Sequence, residues 1–350
     1  MLTDNNKKQI RVLLGASRGS INLGRLENLK SNTQYNFYIV GMDASENQYK
    51  LPLLDEQIKV PTATDPNFIN ALIDIVRNRK IDVVVPNSDF EVEVVSKNKD
   101  RINDAGAASL CSSYEITHSA LDKAKMLQFL KDKGFPTPKF QVPSSIEELI
   151  NAVKLLGYPR KTVIFKPAFA GGGNRGVWLV KEDFSKDLLN AKGIPFITLD
   201  SLVEQIKKTS HFPETVVMEY LSGEEYSVDG LAENGESVYI LPRVRVAPLP
   251  GHSQEALFKK NPEVEAYVKE IARLFKFDSI FNVQLKYSDE GLPRVYEINP
   301  RISATVAANT GAGVDLLFFT ILKSLGLPYP KDLQPKSVRM IRFWKEFYTE

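Results

Sequence analysis

FNVQLKYSDEGLPRVYEINPRIS, residues 281–303, has the form of a β-hairpin. Phe281, Val283, Leu285 and Tyr287 alternate with Asn282, Gln284 and Lys286, the period-2 pattern of a half-buried strand. Ser288, Asp289, Glu290 and Gly291 supply the turn. The return strand is expected to set Val295, Glu297 and Asn299 on one face. Arg301 continues that direction past Pro300, which stops the ladder because it has no N–H to donate. Gln284, Glu297 and Asn299 then bring three oxygen-bearing side chains to one place, opposite or diagonal across a strand pair. Mg²⁺ takes oxygen ligands and is usually held by one or two carboxylates together with phosphates. An Arg beside such a site can hold the same phosphates with its planar fork. The plain alternative is a polar-faced hairpin with Glu297 in water. The Glu-x-Asn-x-Arg string at the strand end weighs against it, because all three residue types suit polyphosphate and metal chemistry.

The rest of the chain sets the bounds. Its 350 residues are enough for two or three compact units. Apolar residues make up 43% and charged residues 25%, an ordinary globular balance. A net charge of +2, from 45 basic and 43 acidic residues, gives no electrostatic reason to expect nucleic acid or an anionic membrane as partner. The single cysteine, Cys111, excludes an intrachain disulfide and a Cys-based zinc site; it is expected to be a buried strand-end residue. His118, His211 and His252 are far apart and show no ligand spacing. The first residues, MLTDNNKKQI, lack the apolar core of a signal peptide. No apolar run approaches the roughly 20 residues that span a bilayer. A cytoplasmic setting is the expectation.

From residue 10 to residue 115 short apolar runs at 10–14, 37–40 and 83–85 are each ended by Gly or Pro, and Phe68, Leu72, Ile75 and Val76 fall at helical spacing between the last two. Alternating strands and helices argue for a parallel, doubly wound sheet. Gly15-Ala16-Ser17-Arg18-Gly19 follows the first strand, where such sheets bind ligands, but it is not a dinucleotide G-x-G-x-x-G. Pro86-Asn87-Ser88-Asp89 and Glu91 are expected to be solvated loop residues at the mouth of the third strand. One helix is expected over 117–134, with a Ser119/Asp122 capping pattern and a stop at Gly134. Lys123 and Lys125 lie in its first turns, where the helix dipole mildly disfavours a cation.

A second glycine cluster sits between two strands in KTVIFKPAFAGGGNRGVWLV, residues 161–180. This is not a Walker loop, which opens a helix. Gly171, Gly172, Gly173 and Gly176 with Asn174 and Arg175 still point to an anion-binding hairpin, because glycine lets backbone N–H groups approach phosphates closely. Residues 185–208 read as a lysine-rich helical region. In TVVMEYLSGEEYSVDGL, residues 215–231, a strand turns at Ser222-Gly223 and returns with Glu225, Ser227 and Asp229 on one side. A strand over 238–246 carries Arg243 and Arg245 on one face. A long loop is expected over 247–260, helices over 264–275 and 314–325, and a last strand over 338–344.

These stretches together resemble the ATP-grasp superfamily, nearest its carbamoyl-phosphate-synthase-like branch. The resemblance rests on Leu121-Asp122-Lys123, Ile164-Phe165-Lys166-Pro167, Ala170 to Gly176, Met218 to Asp229, Phe281 to Gln284 and Glu297 to Ser303 standing in this order and spacing. It implies an α/β and α+β chain in which a doubly wound parallel-sheet pre-ATP-grasp domain, residues 1–115, precedes an ATP-grasp fold, residues 116–350. That fold would comprise a glycine-loop lid at about 158–220 and an antiparallel-sheet catalytic subdomain at about 221–350.

The resemblance further implies ATP with Mg²⁺ (or Mn²⁺). Lys123 and Lys166 would contact phosphates or adenine, and the glycine loop would close over the phosphates. Glu219, Tyr220 and Leu221 would meet adenine, and Glu225 would hold the ribose. Gln284, Glu297 and Asn299 would hold the metal, and Arg301 would stabilise the transferring phosphoryl group. Arg243 and Arg245, with Arg301, are the candidates for a substrate carboxylate. The chain holds one such unit where carbamoyl-phosphate synthetases hold two, so a ligase joining a small carboxylic acid to an amine is expected. Carbamoyl-phosphate-type or kinase-like phosphorylation and a non-catalytic ATP-binding regulator are the alternatives. The resemblance leaves room for a homodimer.

Overall fold

The computed structural model describes residues 7–46, 49–169, 176–182, 194–249, 252–343 and 346–348. The chain begins with β1 (Gln9–Leu14), α1 (Asn22–Lys30), β2 (Asn36–Asp43), β3 (Glu56–Lys59), α2 (Phe68–Arg79), β4 (Val83–Val85), α3 (Asp89–Lys97), α4 (Lys99–Asp104) and β5 (Ala108–Ser109). The strands form a parallel sheet in the order β3-β2-β1-β4-β5. Both faces are apolar, as a parallel sheet covered on both sides requires. Leu13, Val40 and Val84 pack on Phe68 and Leu72 of α2 and on Val92 and Val95 of α3. Ile10, Val12, Ile39 and Val85 pack on Leu26 and Leu29 of α1, and also on Phe258, Ile302, Leu317 and Phe318 from the far end of the chain. One face of the first sheet is thereby packed against the later part of the chain, and its edge at the end of β4 meets the segment that follows residue 299.

That edge is more ordered than loop composition predicts. Asp89 and Glu91 are buried, at 4% and 6% exposure, where solvated loop residues were the expectation. The reason is a capping box: Ser88 caps α3, and the Glu91 carboxylate reaches back to the Ser88 N–H (3.0 Å). Glu91 also accepts from the N–H groups of Asn87 (2.9 Å) and Ala16 (2.8 Å), so it ties β4 to the loop after β1. Cys111 is buried just beyond β5, and burial pushes its thiol up to about 12.

Two helices follow instead of one, α5 (Tyr114–Leu121) and α6 (Lys123–Asp132). Asp122 breaks them because it is extended, and its side chain accepts from the Lys125 N–H (3.1 Å) as the cap of α6. The break leaves Lys123 at the first position of α6 with its N–H donated to the Ala168 carbonyl (2.9 Å).

The second sheet is built from β6 (Phe140–Gln141), α7 (Ile146–Leu155), β7 (Val163–Pro167), β8 (Trp178–Val180), β9 (Phe196–Ile197), α8 (Leu199–Ile206) and β10 (Thr215–Glu219), with strand order β6-β10-β7-β8-β9. Residues 170–175, which include Gly171, Gly172 and Gly173, lie outside the described residues, as does the 185–193 part of the lysine-rich region. Gly176 has φ +71°, and a Cβ there would sit 2.9 Å from Pro167 Cγ, so the loop returns to β8 through a position only glycine fits.

The third sheet holds β11 (Glu225–Glu233), β12 (Glu236–Leu249), β13 (His252–Phe258), β14 (Ile280–Tyr287), β15 (Pro293–Asn299) and β16 (Val338–Ile341), with α9 (Pro262–Phe275), a 3-10 turn at Val306–Thr310 and α10 (Leu316–Ser324). The order is β15-β14-β11-β12-β13-β16, antiparallel throughout the described strands. The loop expected over 247–260 is a hairpin arm. Ser253, Ala256 and Phe258 are buried and Gln254 is exposed; the register against β12 shifts between Ser253 and Ala256, so the arm has no continuous alternation that would mark it as a strand in the sequence. Among the described residues no helix is long and apolar enough to cross a membrane.

Candidate functional site

The hairpin of β14 and β15 carries one correction that decides the site. Gln284 pairs with Glu297 and Asn282 with Asn299, but the register shifts so that Leu285 pairs with Val295. Tyr296 is therefore the extra residue of a β-bulge. Val295 and Ile298 both enter the apolar core, so Val295 does not share a face with Glu297 and Asn299 as strict alternation requires. The bulge gives Tyr296, Glu297 and Asn299 polar partners, while the Tyr296 ring still packs against that core.

Glu297 sits half-buried among cations. Burial pushes its carboxyl up, but Lys123 and Lys166, a hydrogen bond from Asn299 and the charge of Arg301 together hold it below the usual carboxylate range. Asn299 Nδ2 donates to Glu297 Oε1 (3.1 Å), and Asn299 Oδ1 accepts from Arg301 Nη2 (3.1 Å). Lys166, on β7, is 4% exposed and donates to the Tyr296 carbonyl (2.8 Å). Burial, and next the neighbouring Lys123, bring its ammonium down to about 7, against the pull of Glu297. An anion placed between Lys123 and Lys166 would restore that charge.

The expected adenine segment ends β10. Glu219 donates its N–H to the Lys139 carbonyl (2.9 Å) and its carboxylate accepts from the Lys139 N–H (2.9 Å). Leu221 is buried and its carbonyl accepts from Lys286 Nζ (3.3 Å), which also stands 5.2 Å over the exposed ring of Tyr220. Gly223 is required by a close approach, since a Cβ there would lie 2.4 Å from the Tyr287 carbonyl oxygen. Glu225 Oε1 is held by Arg245 Nη1 (2.5 Å) and lies 2.9 Å from the Tyr296 hydroxyl, and Lys286 Nζ is 3.7 Å from Oε2.

Arg243 and Arg245 do not stand as a pair of open cations. Arg245 is engaged with Glu225 and donates to Ser253 Oγ (3.1 Å). Arg243 is 1% exposed and pairs with the equally buried Asp229, while its Nη2 donates to the hydroxyls of Ser227 (3.0 Å) and Ser303 (3.0 Å). Asp229 accepts further from Asn282 Nδ2 (2.8 Å), Ser303 Oγ (3.1 Å) and Asn309 Nδ2 (3.0 Å). This network fixes the chain just after Arg301. Arg301 itself donates from Nε to Asp89 Oδ1 (2.5 Å) of the first sheet. Next to Asp89, the Phe90 ring meets Phe169, at the root of the glycine loop, with centroids 6.1 Å apart.

Lys123, Lys166, Gln284, Asn299 and Arg301 thus gather around Glu297, with Glu225 and Arg245 reached through Tyr296. Sequence reasoning missed Tyr296, Asp89 and the Asp229 network. Asp229 was legible in part, since it shares a β11 face with Glu225 and Ser227. Tyr296 was not, because its place depends on the bulge.

The family described as "ATP-grasp in the biosynthetic pathway with Ter operon" matches residues 211–345, and that described as "PylC-like, N-terminal domain" matches residues 21–110. The carbamoyl phosphate synthase large chain of Clostridium acetobutylicum is 26% identical over 279 residues, which cover 76% of this chain and 25% of that protein. The large chain of Thermotoga neapolitana is 25% identical over 275 residues, 76% of this chain and 22% of that protein. The chain therefore spans about a quarter of the length of these curated relatives. Among solved structures, N5-carboxyaminoimidazole synthetase from Staphylococcus aureus, complexed with ADP, superposes with a TM-score of 0.69 at 17% identity, covering 96% of this chain and 83% of that one. A biotin carboxylase–β,γ-ATP complex from Campylobacter jejuni gives 0.67 at 19% identity, covering 92% and 72%.

Proposed function

The chain belongs to the ATP-grasp superfamily, and from that premise we propose that it is an ATP- and Mg²⁺-dependent ligase joining a small carboxylic acid to an amine through an acyl phosphate. The observation that carries this is the convergence of three cations on a single carboxylate: Glu297 feels Lys123, Lys166 and Arg301 at once. Two lysines and an arginine against Glu297 and Asp89 leave an excess of positive charge, which suits a polyphosphate with a divalent metal.

The residues fit the ligands the family uses. Gln284, Glu297 and Asn299 form an all-oxygen donor set with one carboxylate, of the kind Mg²⁺ takes beside phosphates. When bound there, the metal would neutralise charge developing on the phosphoryl oxygens. Lys123 and Lys166 hold the phosphates, Glu225 accepts from ribose hydroxyls, and Glu219, Tyr220 and Leu221 edge the base.

The chemistry follows from what a carboxylate lacks, namely a leaving group. A carboxylate oxygen of the acid attacks the γ-phosphorus and ADP departs. The amine then attacks the acyl carbon, phosphate departs, and the nitrogen gives up a proton. The chain's part is to position the groups and offset their charge. With Arg243 committed to Asp229, Arg301 is the cation we assign to the reacting carboxylate and the phosphoryl group. Its Nε, one Nη1 and one Nη2 proton are in use, which leaves one proton on each Nη for an oxyanion.

The test is ADP release from MgATP against a panel of amino acids and small carboxylic acids, with hydroxylamine present to trap an acyl phosphate. Acid-dependent ADP release with hydroxamate formation is the expected result. Release of a stable phosphorylated product without an amine would place the chain with phosphorylating enzymes. ATP binding without turnover on any acid would make it a regulator. Lys166→Ala is expected to weaken ATP binding about 10–100-fold, since it removes a charged, desolvated donor. An unchanged ATP dissociation constant in that variant would count against its assignment.

A further inference from the structure

The Tyr296 hydroxyl has no part in the chemistry above, yet it lies between two residues that do. Its oxygen is 2.9 Å from Glu225 Oε1 and 3.1 Å from Gln284 Oε1. A phenol has one proton to give, so both acceptors compete for it. The placement is built into the fold. The β15 bulge leaves Tyr296 without a partner across the hairpin, and its carbonyl is held by Lys166 Nζ (2.8 Å), which also stands 5.5 Å from its ring centroid. Glu225 Oε1 already receives Arg245 Nη1 (2.5 Å), whereas the nearest cation to Oε2 among its ion pairs, Lys286 Nζ, is 3.7 Å away.

We propose that Tyr296 is a positioning residue whose hydroxyl couples the ribose-binding carboxylate Glu225 to the metal-binding amide Gln284. The coupling rests on the ligase reading, which supplies those two roles. While Gln284 Oε1 is uncommitted, the hydroxyl proton is divided between the two oxygens. Were Gln284 Oε1 to ligate a metal, its electron density would be drawn to the cation, it would become the weaker acceptor, and the hydroxyl proton would shift to Glu225 Oε1. Two donors then fix Oε1, and Oε2 is left to accept from the ribose. Metal and ribose binding are linked through one proton although neither touches the other, and the linkage is reciprocal.

Tyr296→Phe keeps the ring and removes the proton. The measurement is calorimetric binding of ADP and 2′-deoxy-ADP, each with and without Mg²⁺, to wild type and variant. In the variant, the Mg²⁺ enhancement of ADP affinity and the preference for ADP over 2′-deoxy-ADP are each expected to fall about 3–10-fold. Equal enhancement and equal preference in the two proteins would overturn the coupling while leaving nucleotide binding intact. Should Tyr296→Phe fold poorly, Glu225→Gln supplies the same reading: it must also lose Mg²⁺ enhancement, and retention of the full effect overturns the proposal. In the double variant the two losses must be less than additive; strict additivity counts against it. A wild-type protein that binds no ADP at all removes the ligase reading itself, and the coupling with it.

Discussion

Glu297→Gln is expected to lower ATP turnover by at least about 10²–10³-fold, the scale on which single preorganised electrostatic groups act. The substitution keeps the shape and the hydrogen-bond acceptor for Asn299 and removes one negative charge. Glu297 is the one carboxylate in the Gln284/Glu297/Asn299 set, so its loss takes the charge that draws a divalent cation there. It also leaves Lys123 and Lys166 without the charge of Glu297, while Arg301 keeps Asp89. Two binding results should therefore diverge. Affinity for metal-free ATP should hold or rise, because the cleft becomes more positive. The tightening by Mg²⁺ should vanish. Far-UV circular dichroism should match wild type. A variant with normal turnover, or with normal Mg²⁺ enhancement, would remove Glu297 from the metal site.

Arg243→Met is expected to cost about 3–5 kcal/mol of stability, the range for breaking a buried ion pair by removing one partner. That is a large share of a typical total of about 5–15 kcal/mol. Both side chains are 1% exposed, so water cannot replace the lost guanidinium. Asp229 would keep only the hydrogen bonds from Ser303, Asn309 and Asn282. Thermal unfolding followed by circular dichroism is the measurement, with a fall in the midpoint on the order of 5–10 °C. Adding Asp229→Leu should recover part of the loss, because the unpaired charge goes, but not all of it, because the Ser303 hydroxyl and the Asn309 amide lose their acceptor. Arg301 activity should suffer in both variants, since this network anchors Ser303. An Arg243→Met protein as stable as wild type would mean that the pair is not the keystone its burial indicates.

The comparison of Arg243 with Glu297 shows where sequence reading succeeds. Glu297, Asn299 and Gln284 were legible because a strand pair has few degrees of freedom: once two runs read as strands joined by a turn, their end residues must meet. Lys166 and Glu225 were singled out by the family resemblance, since no strand pairing in the sequence brings them to the hairpin. Arg243 and Arg245 satisfied the same pattern, two cations on one strand face, yet each is matched by a carboxylate on β11, so they are not a free pair. A one-strand pattern reports which way a side chain points and says nothing of what waits there.

The buried Asp89 and Glu91 make the complementary point. Their neighbourhood reads as solvent-exposed turn by composition, and the Ser88–Glu91 spacing of a capping box was present in the sequence without being used. What no local pattern contained was Arg301, which closes on Asp89 from 212 residues away.

The sequence by itself determined most of the strand and helix order, the parallel first sheet and the oxygen-rich hairpin end, because these follow from periodicity, turn chemistry and capping over short spans; the break at Asp122 and the strand at His252–Phe258 lay beyond it, and the antiparallel part came with the family resemblance. Tertiary structure alone decided which polar groups are already satisfied. The bulge at Tyr296, the pairing of Arg243 with Asp229 and the grip of Asp89 on Arg301 each depend on contacts between segments far apart in the chain. Burial then makes each such contact obligatory, since a charge removed from water must find its partner in the fold or not be buried at all.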